Sequence, residues 1–392
     1  MRRAVVIIGC SYGDEGKGLA ASLTAKRMDG PCLNVLINGG AQRGHTVDLP
    51  DGRRHVFHHF GSAAFSGAVS CADEDFIVNP LLYVQEKEEL ETGFRLSPRL
   101  MIHRNCRVTT PWDMMLGQII EESRGKGRHG SCGCGIYETI LRSRQSPWAL
   151  RWGGLSELKE PDFFAYSRRI LREYLPQRLA GLGINASPEW RRVLEDEGIV
   201  RHAWEDIQAM KAQTETYSDW ASEASSWPNL LFEAGQGLAL DAENTKDFPH
   251  LTPSRTTSLV SARRISELEG ETETMVLYVT RSYLTRHGAG PFPTECPKET
   301  INREMTDLTN LPNPHQQSLR YGRFDGRAVL ERISKDLEAS RNILSGISAG
   351  ILVTHLNETG GRLAGDMDLK TLISHFDLAL LSDCPWSAYH YS

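Results

Sequence analysis

No run of 18 apolar residues occurs in the chain, so the sequence offers no membrane-spanning helix. Nor is there a basic excess. The formal net charge is −6, which argues against a general nucleic-acid binder and leaves room for local cationic sites that take small phosphorylated ligands. The eight cysteines, at 10, 32, 71, 106, 132, 134, 296 and 384, contain no C-x-x-C pair. Scattered through a long chain, they read as reduced thiols of a cytoplasmic protein. Cys132 and Cys134 lack the second Cys or His pair that a zinc site needs. The apolar run in MRRAVVIIGC is too short for a secretory leader and leads straight into glycines. No repeat, low-complexity tract or clear linker divides the 392 residues, a length that suits one large α/β domain or a pair of ordinary ones.

What is there is an alternation of apolar strands, glycine loops and helices. AVVIIG reads as a buried parallel strand, LAASLTAKR as the helix after it, and CLNVLING (32–39) as the next strand. DEDFIVNP and PRLMIHRN read as short strands around the helix LLYVQEKEELE. From 156 to 225 the pattern turns helical, in FFAYSRRILREYLPQRLAGL and PEWRRVLEDEGIVRHAWEDIQAMKAQ, and reads as a helical insertion. NLLFEAGQG (229–237) and TMVLYVTRSYLTRHGAG (274–290) return to strand-then-glycine. RAVLERISKDLEASRNIL is a helix and SAGILVTHLN (348–357) a late strand. The expected fold is a single α/β domain over 1–392: a mostly parallel central sheet with helices on both sides, the insertion, and a P-loop-like phosphate loop. In such sheets ligands collect beyond the carboxyl ends of the strands, where all the glycine loops fall.

The first loop, CSYGDEGKG (10–18), nearly matches a phosphate loop. It has Ser11 where the rule needs Gly, and Gly18 where it needs Ser or Thr. Gly13, Gly16 and Gly18 let backbone N–H groups close on phosphate oxygens, and Lys17 supplies a point charge. Asp14 needs either a magnesium ion between it and phosphate or a second substrate that it serves as a base. The second loop, NGGAQRGHT (38–46), sets His45 among Gly39, Gly40 and Gly44. Beside an anionic ligand its pKa would rise, making it a proton donor.

GDEGKG, GGAQRGHT, FEAGQG and TRHGAGPFPTE, in this order, resemble the adenylosuccinate synthetase family. The blocks span residues 4 to about 295, with a weaker echo to 357. The resemblance implies a ligase that joins L-aspartate to the 6-oxo carbon of a purine nucleoside monophosphate, driven by a nucleoside triphosphate through a 6-phosphoryl intermediate. It makes Asp14 the base and a magnesium ligand, with the Gly44 carbonyl as another. His45 is the acid at the transferring phosphate, Lys17 holds phosphates, and Gln236 holds the 6-oxo edge of the purine. Gly13, Glu15, Gly16, Gly18, Gly40 and Thr46 fall around the nucleotide phosphates, and Thr252, in FPHLTPSRTT, at a 5′-phosphate. In GRHGSCGCGIYET (127–139), Ser131 and Cys132 stand where the family has two threonines. Arg142 or Arg144 matches an arginine that crosses to the partner subunit, which implies a homodimer.

The resemblance departs at the places that set specificity. The arginine-rich aspartate loop is reduced to QQSLRYGRFD (316–325), leaving Arg320 and Arg323 for the aspartate carboxylates and Gln317 in place of an arginine near the ribose 2′-hydroxyl. Where the family reads guanine with Thr-Lys-Leu-Asp, this chain has THLN, Thr354 to Asn357. A carboxylate accepts two hydrogen bonds from guanine, whereas Asn offers one acceptor and one donor and suits adenine. ATP or dATP thus competes with GTP as the expected donor. The short chain and the tail SDCPWSAYHYS resemble the family's phage branch, whose acceptor is dGMP rather than IMP. That would put the enzyme in a host cytoplasm. An ordinary member of the family, joining L-aspartate to IMP with GTP, is the alternative; a non-catalytic nucleotide-binding protein and an unrelated P-loop NTPase are the more distant rivals.

Overall fold

The structure, a computed structural model, describes residues 1–305 and 319–391. It is built around β1 (Arg2–Gly9), whose apolar run is buried without alternation from Val6 to Gly9, as expected of a strand covered on both faces. The remaining strands among the described residues are β2 (Cys32–Leu36), β3 (His45–Asp48), β4 (Arg54–Phe57), β5 (Val69–Ala72), β6 (Ile77–Val78), β7 (Leu100–His103), β8 (Arg107–Val108), β9 (Glu215–Tyr217), β10 (Asn229–Gly237), β11 (Thr272–Arg281), β12 (Leu284–Arg286), β13 (Arg320–Gly322), β14 (Ser348–Thr354), β15 (Leu378–Cys384) and β16 (Ser387–His390). Nine of them form one sheet with β1, in the order β16-β15-β14-β11-β1-β10-β2-β5-β7-β9. Every pairing in it is parallel except β15 with β16. The expected mostly parallel α/β sheet is therefore present. β1 lies between β11 and β10, so the loops leaving β1, β10, β11 and β14 emerge along one edge.

The helices that flank the sheet start where their sequences say they should. α1 (Lys17–Lys26) follows the first glycine loop. α2 (Pro80–Phe94) is capped by Asn79, whose side chain accepts the Leu82 N–H, with Pro80 in the first turn. α3 (Pro111–Ser123) has a full capping box between Thr110 and Asp113. α4 (Ile136–Ser143) comes after the Cys132–Cys134 stretch.

Some local readings come out differently. Of DEDFIVNP only Ile77–Val78 is strand, because Asn79 and Pro80 start α2. The strand reading of 274–290 splits, since β12 leaves the central sheet to pair antiparallel with β13. FFAYSRRILREYLPQRLAGL is interrupted by a π turn, Ile170–Tyr174, before the helix Leu175–Gly181. Pro176 lies just beyond that turn. It lacks an N–H and would crowd an earlier carbonyl, so the wider turn accommodates it. The 156–225 stretch is not wholly helical: β9 adds the edge strand of the sheet beside β7. Its Phe163, Ile170, Val200 and Ile207 share one apolar cluster with Tyr83 of α2 and Trp112 and Leu116 of α3. The tail SDCPWSAYHYS supplies the end of β15 and all of β16.

Candidate active site

Two glycines explain the loop after β1. Gly13 has φ +104°, and a Cβ there would lie 2.9 Å from Gln236 Cα. Gly18 is needed for a different reason. Its Cβ would lie 2.3 Å from the Thr46 carbonyl oxygen, so the first turn of α1 packs directly on β3. The hydroxyl residue of an ordinary P-loop is excluded sterically. α1 has no side-chain cap and no acid in its first turn. Its first N–H groups are left for an anion, and the helix dipole favours one there.

A cavity of about 330 Å³ lies over this helix end. Gly13, Asp14, Gly16, Lys17, Gly18, Gly44, His45, Thr46, Thr354 and Asn357 all line it, so both glycine loops and the THLN stretch meet in one place. Lys17 is buried. Its Nζ donates to the Gly13 carbonyl and lies 3.6 Å from Glu15 Oε2. Glu15 does not face a phosphate. Its carboxylate is buried and accepts the Ser11 N–H at 2.7 Å and the Gly13 N–H at 3.2 Å. It folds the loop, and burial pushes its carboxyl up while Lys17 pulls it down.

His45 is held from behind by a residue that sequence reasoning left unassigned. Glu233, at the end of the apolar part of β10, is completely buried. Its Oε1 is 2.5 Å from His45 Nδ1 and 3.2 Å from Arg43 Nη2. Its other oxygen accepts the Ser62 N–H at 3.0 Å. Burial alone would raise the Glu233 carboxyl, but Arg43, His45 and Ser62 outweigh it and bring it down to about 2. Burial and Arg43 hold the His45 imidazole down to about 4 against the opposing pull of Glu233. By itself the protein thus keeps His45 neutral, with Nδ1–H on Glu233 and Nε2 left for a ligand. The rise expected from the sequence requires the charge of an incoming anion.

Asp14 has a partner of its own. Arg281, the last residue of β11, donates from Nη2 to Asp14 Oδ2 at 2.8 Å and from Nε to the Asp14 carbonyl. The signal for Glu233 and Arg281 is the same: a charged residue ending an apolar central strand, on the edge where ligands collect.

The other expected residues are dispersed around this centre. Gln236, at φ +65°, stands over Gly13. Gly40 is a packing position, where a Cβ would lie 2.6 Å from the Ile77 carbonyl oxygen. The Thr354 hydroxyl donates to the Glu15 carbonyl at 2.9 Å, so it ties β14 to the loop rather than facing a base. Asn357 is exposed at the cavity rim. Ser131, Cys132 and Thr252 do not line the cavity. They belong to a second convergence of loops, in which the His129 and His250 rings are 5.5 Å apart and a Gly130 Cβ would lie 2.9 Å from Gly288 Cα. That group reaches the first loop through Tyr12, which packs on Phe292 at 5.2 Å and on the Arg286 guanidinium at 4.8 Å.

The arginines are redistributed. Arg142 is fully buried: it holds Asp113 through Nε and Nη2, both at 2.8 Å, and donates to the Trp148 and Val108 carbonyls. Those bonds occupy its guanidinium, so it is no bridge to another subunit. Arg144 is exposed at the end of α4. Arg320 is bound to Glu295 at 2.8 and 2.5 Å and to the Gly288 and Gly290 carbonyls, which makes it a brace of the GAGPFPTE loop. Arg323 is exposed. Gln317 lies outside the described residues.

Magnesium fits this donor set in one sense only. Among the described residues no cluster of at least three His, Cys, Asp or Glu side chains is placed to hold a metal. Asp14 and the Gly44 backbone do share a cavity wall, and magnesium is commonly bound by one or two carboxylates together with substrate phosphates.

Comparison with known proteins agrees with the sequence motifs. The adenylosuccinate synthetase family model matches residues 6–335. The adenylosuccinate synthetase of Bordetella petrii is 28% identical over 377 residues, covering 92% of this chain and 78% of that protein. That of Nitrosomonas europaea is 29% identical over 367 residues with the same coverage. Among solved structures, the fully ligated adenylosuccinate synthetase of Plasmodium falciparum superposes with a TM-score of 0.68 at 20% identity, covering 90% of this chain and 77% of its own. The cyanophage S-2L succinoaminodeoxyadenylate synthetase (PurZ), bound to dGMP and dATP as an energy donor, gives 0.65 at 15% identity and covers 100% and 95%. No helix among the described residues is long and apolar enough to cross a membrane. The chain belongs to the adenylosuccinate synthetase family and is a carbon–nitrogen-forming ligase of that type.

Proposed function

We propose that this ligase joins L-aspartate to the 6-oxo carbon of dGMP, using an adenine nucleoside triphosphate as donor. The reading is carried by one observation: Asp14, Lys17 and His45 share a cavity whose rim carries Asn357 in place of a carboxylate. Asp14 takes the purine N1 proton. The 6-oxygen then attacks the γ-phosphorus and the nucleoside diphosphate leaves. Lys17 and the α1 N-terminus neutralise phosphate charge, and His45 Nε2, its ring oriented by Glu233, meets the transferring group. The phosphate charge opposes Arg43 and raises the imidazole pKa, so Nε2 carries a proton when it is needed. The aspartate amine next attacks C6, and the C6–O bond breaks to release phosphate. Asp14 and the Gly44 carbonyl would hold a magnesium ion, whose chemistry is to offset charge on the phosphate oxygens.

The choice of dGMP is supported by the near-complete mutual coverage with the cyanophage enzyme and by Gln317, which replaces an arginine near the 2′-hydroxyl. A second reading, IMP with GTP, is favoured by the curated relatives, which are adenylosuccinate synthetases. Asp14 serves either acceptor, since both carry an N1 proton and a 6-oxo group. L-Aspartate falls to Arg323 more readily than to Arg320, which Glu295 neutralises. Exposed Arg144 is the residue that would reach a second subunit in a homodimer.

The test is succinyl-purine formation with IMP, dIMP, GMP and dGMP, each paired with ATP, dATP and GTP. The highest kcat/KM for dGMP with an adenine triphosphate supports the proposal. A higher value for IMP with GTP replaces it with the second reading. Product from none of the pairings leaves a nucleotide-binding protein. Asn357→Asp should move donor preference towards GTP, and an unchanged ratio would remove the account of THLN.

A further inference from the structure

We propose that Arg281 is a positioning residue that fixes the Asp14 carboxylate for the first step of the reaction. This rests on Asp14 being the base. Asp14 sits in a loop with Gly13 at φ +104° and Gly16 at φ +97°, so neither a helix nor a strand restrains it. Arg281 supplies that restraint from a rigid element. It ends β11, which pairs with β1 from Thr272 to Val279 and with β14 up to Arg281 itself, opposite Thr354. Its Nε holds the Asp14 carbonyl and its Nη2 holds Oδ2 at 2.8 Å. Backbone and side chain of one residue are thus gripped by one planar fork, a geometry that a lysine does not reproduce.

The fork is itself held. Nη1 donates to Tyr283 Oη at 3.0 Å, and the Tyr283 hydroxyl donates to Glu358 Oε2. Glu358 follows Asn357 directly, and its carbonyl accepts from Asn302 Nδ2 at 2.8 Å. The base is therefore joined by side-chain hydrogen bonds to the stretch that carries Asn357, which lines the same cavity. A base displaced by about 1 Å costs on the order of 10²-fold in rate, because the proton and its acceptor no longer meet in line.

The test is positional isotope exchange in the triphosphate, without aspartate, in the presence of the acceptor nucleotide. Exchange of the β,γ-bridging oxygen with the β-nonbridging ones requires γ-phosphoryl transfer to the purine oxygen and back. It therefore reads the first step alone. Binding of each nucleotide is measured in parallel by calorimetry. Arg281→Met should slow exchange by on the order of 10²-fold, with both dissociation constants little changed. Arg281→Lys should fall between it and the wild type, and it carries the test if Arg281→Met does not fold. Asp14→Asn should be silent. Wild-type exchange in the Arg281 variants with a silent Asp14→Asn overturns the positioning role. Wild-type exchange in Asp14→Asn overturns the base assignment instead. Loss of triphosphate binding in Arg281→Met, in step with exchange, makes Arg281 a phosphate ligand and also overturns the proposal.

Discussion

Gly18 leaves no room for a side chain beneath Thr46: a Cβ would lie 2.3 Å from the Thr46 carbonyl oxygen. The position where other phosphate loops carry a metal-binding hydroxyl is here the contact between α1 and the strand bearing His45. Gly18→Ser, which restores the hydroxyl of the usual motif, should therefore impair the enzyme. Overpacking of this kind typically costs about 1–3 kcal/mol, and it pushes β3 away from the loop. A lowered urea midpoint together with loss of ligation is expected. Wild-type ligation by Gly18→Ser would show that the close packing has no functional weight.

Glu233 should matter as much as His45 although it does not line the cavity. Glu233→Gln keeps the volume but removes the charge facing Arg43 and leaves one acceptor oxygen for two sets of donors, His45 Nδ1–H on one side and the Ser62 N–H on the other. Its NH2 group must oppose a donor in either orientation, so it displaces the ring or selects the other tautomer. Misplaced acid–base function costs about 10²–10⁴-fold, so kcat should fall by at least the lower figure with KM for both nucleotides little changed. Steady-state kinetics decide this. A change confined to KM would mean that Glu233 serves only to shape the binding site.

The arginines near α4 separate stability from assembly. Arg142→Met leaves Asp113 as an unpaired buried charge, at a cost of about 3–5 kcal/mol, and the urea midpoint should drop accordingly. Arg144→Ala, at an exposed position, should change stability by no more than about 0.5 kcal/mol while raising KM for the acceptor. Equal stability of the two variants would contradict the burial of Arg142.

A pH dependence follows from Glu86 of α2. Its carboxylate accepts the N–H groups of His58 at 2.8 Å, His59 at 2.6 Å and Phe60 at 3.5 Å, which fastens the bend that leaves the His45 hairpin after β4. Burial opposes ionisation, yet the His55 and His59 rings, 3.7 and 3.4 Å from its oxygens, win and hold the carboxyl below its usual range. Burial also holds His59 below the usual histidine value. Both groups bind fewer protons folded than unfolded as the solution is acidified. Their stabilisation is complete at neutral pH. The His59 part is lost as pH falls below about 6.5 and the Glu86 part as it falls through the carboxylate range. The urea midpoint should decline from pH 7 to pH 4, and Glu86→Gln should flatten the lower part of that decline. A parallel decline in the variant would remove Glu86 as its source.

Much of this molecule is legible in its residues. AVVIIG, CLNVL, NLLF and MVLYV are apolar without alternation, and only strands buried on both faces use such runs. The glycines at 13, 16 and 18 mark the loop, and Lys17 and His45 announce phosphate chemistry. Contacts between residues far apart in the chain are not legible in that way. Arg142 and Arg144 are indistinguishable as neighbours in LRSR, and only the position of Asp113 commits one of them to the interior. Arg320 resembles an aspartate receptor until Glu295 is found beside it. Pro176 shows that a helix must be disturbed, but not that a π turn absorbs the disturbance.

The sequence by itself determined the sheet, the order of the glycine loops and the family, because these depend on local pattern: apolar runs, φ-permissive glycines and charged residues at strand ends. Only the tertiary structure decided which charges are available for chemistry. A buried charge is held by whichever opposite charge the fold brings to it, and Glu233 with His45, Arg281 with Asp14 and Asp113 with Arg142 are joined across 188, 267 and 29 residues of chain.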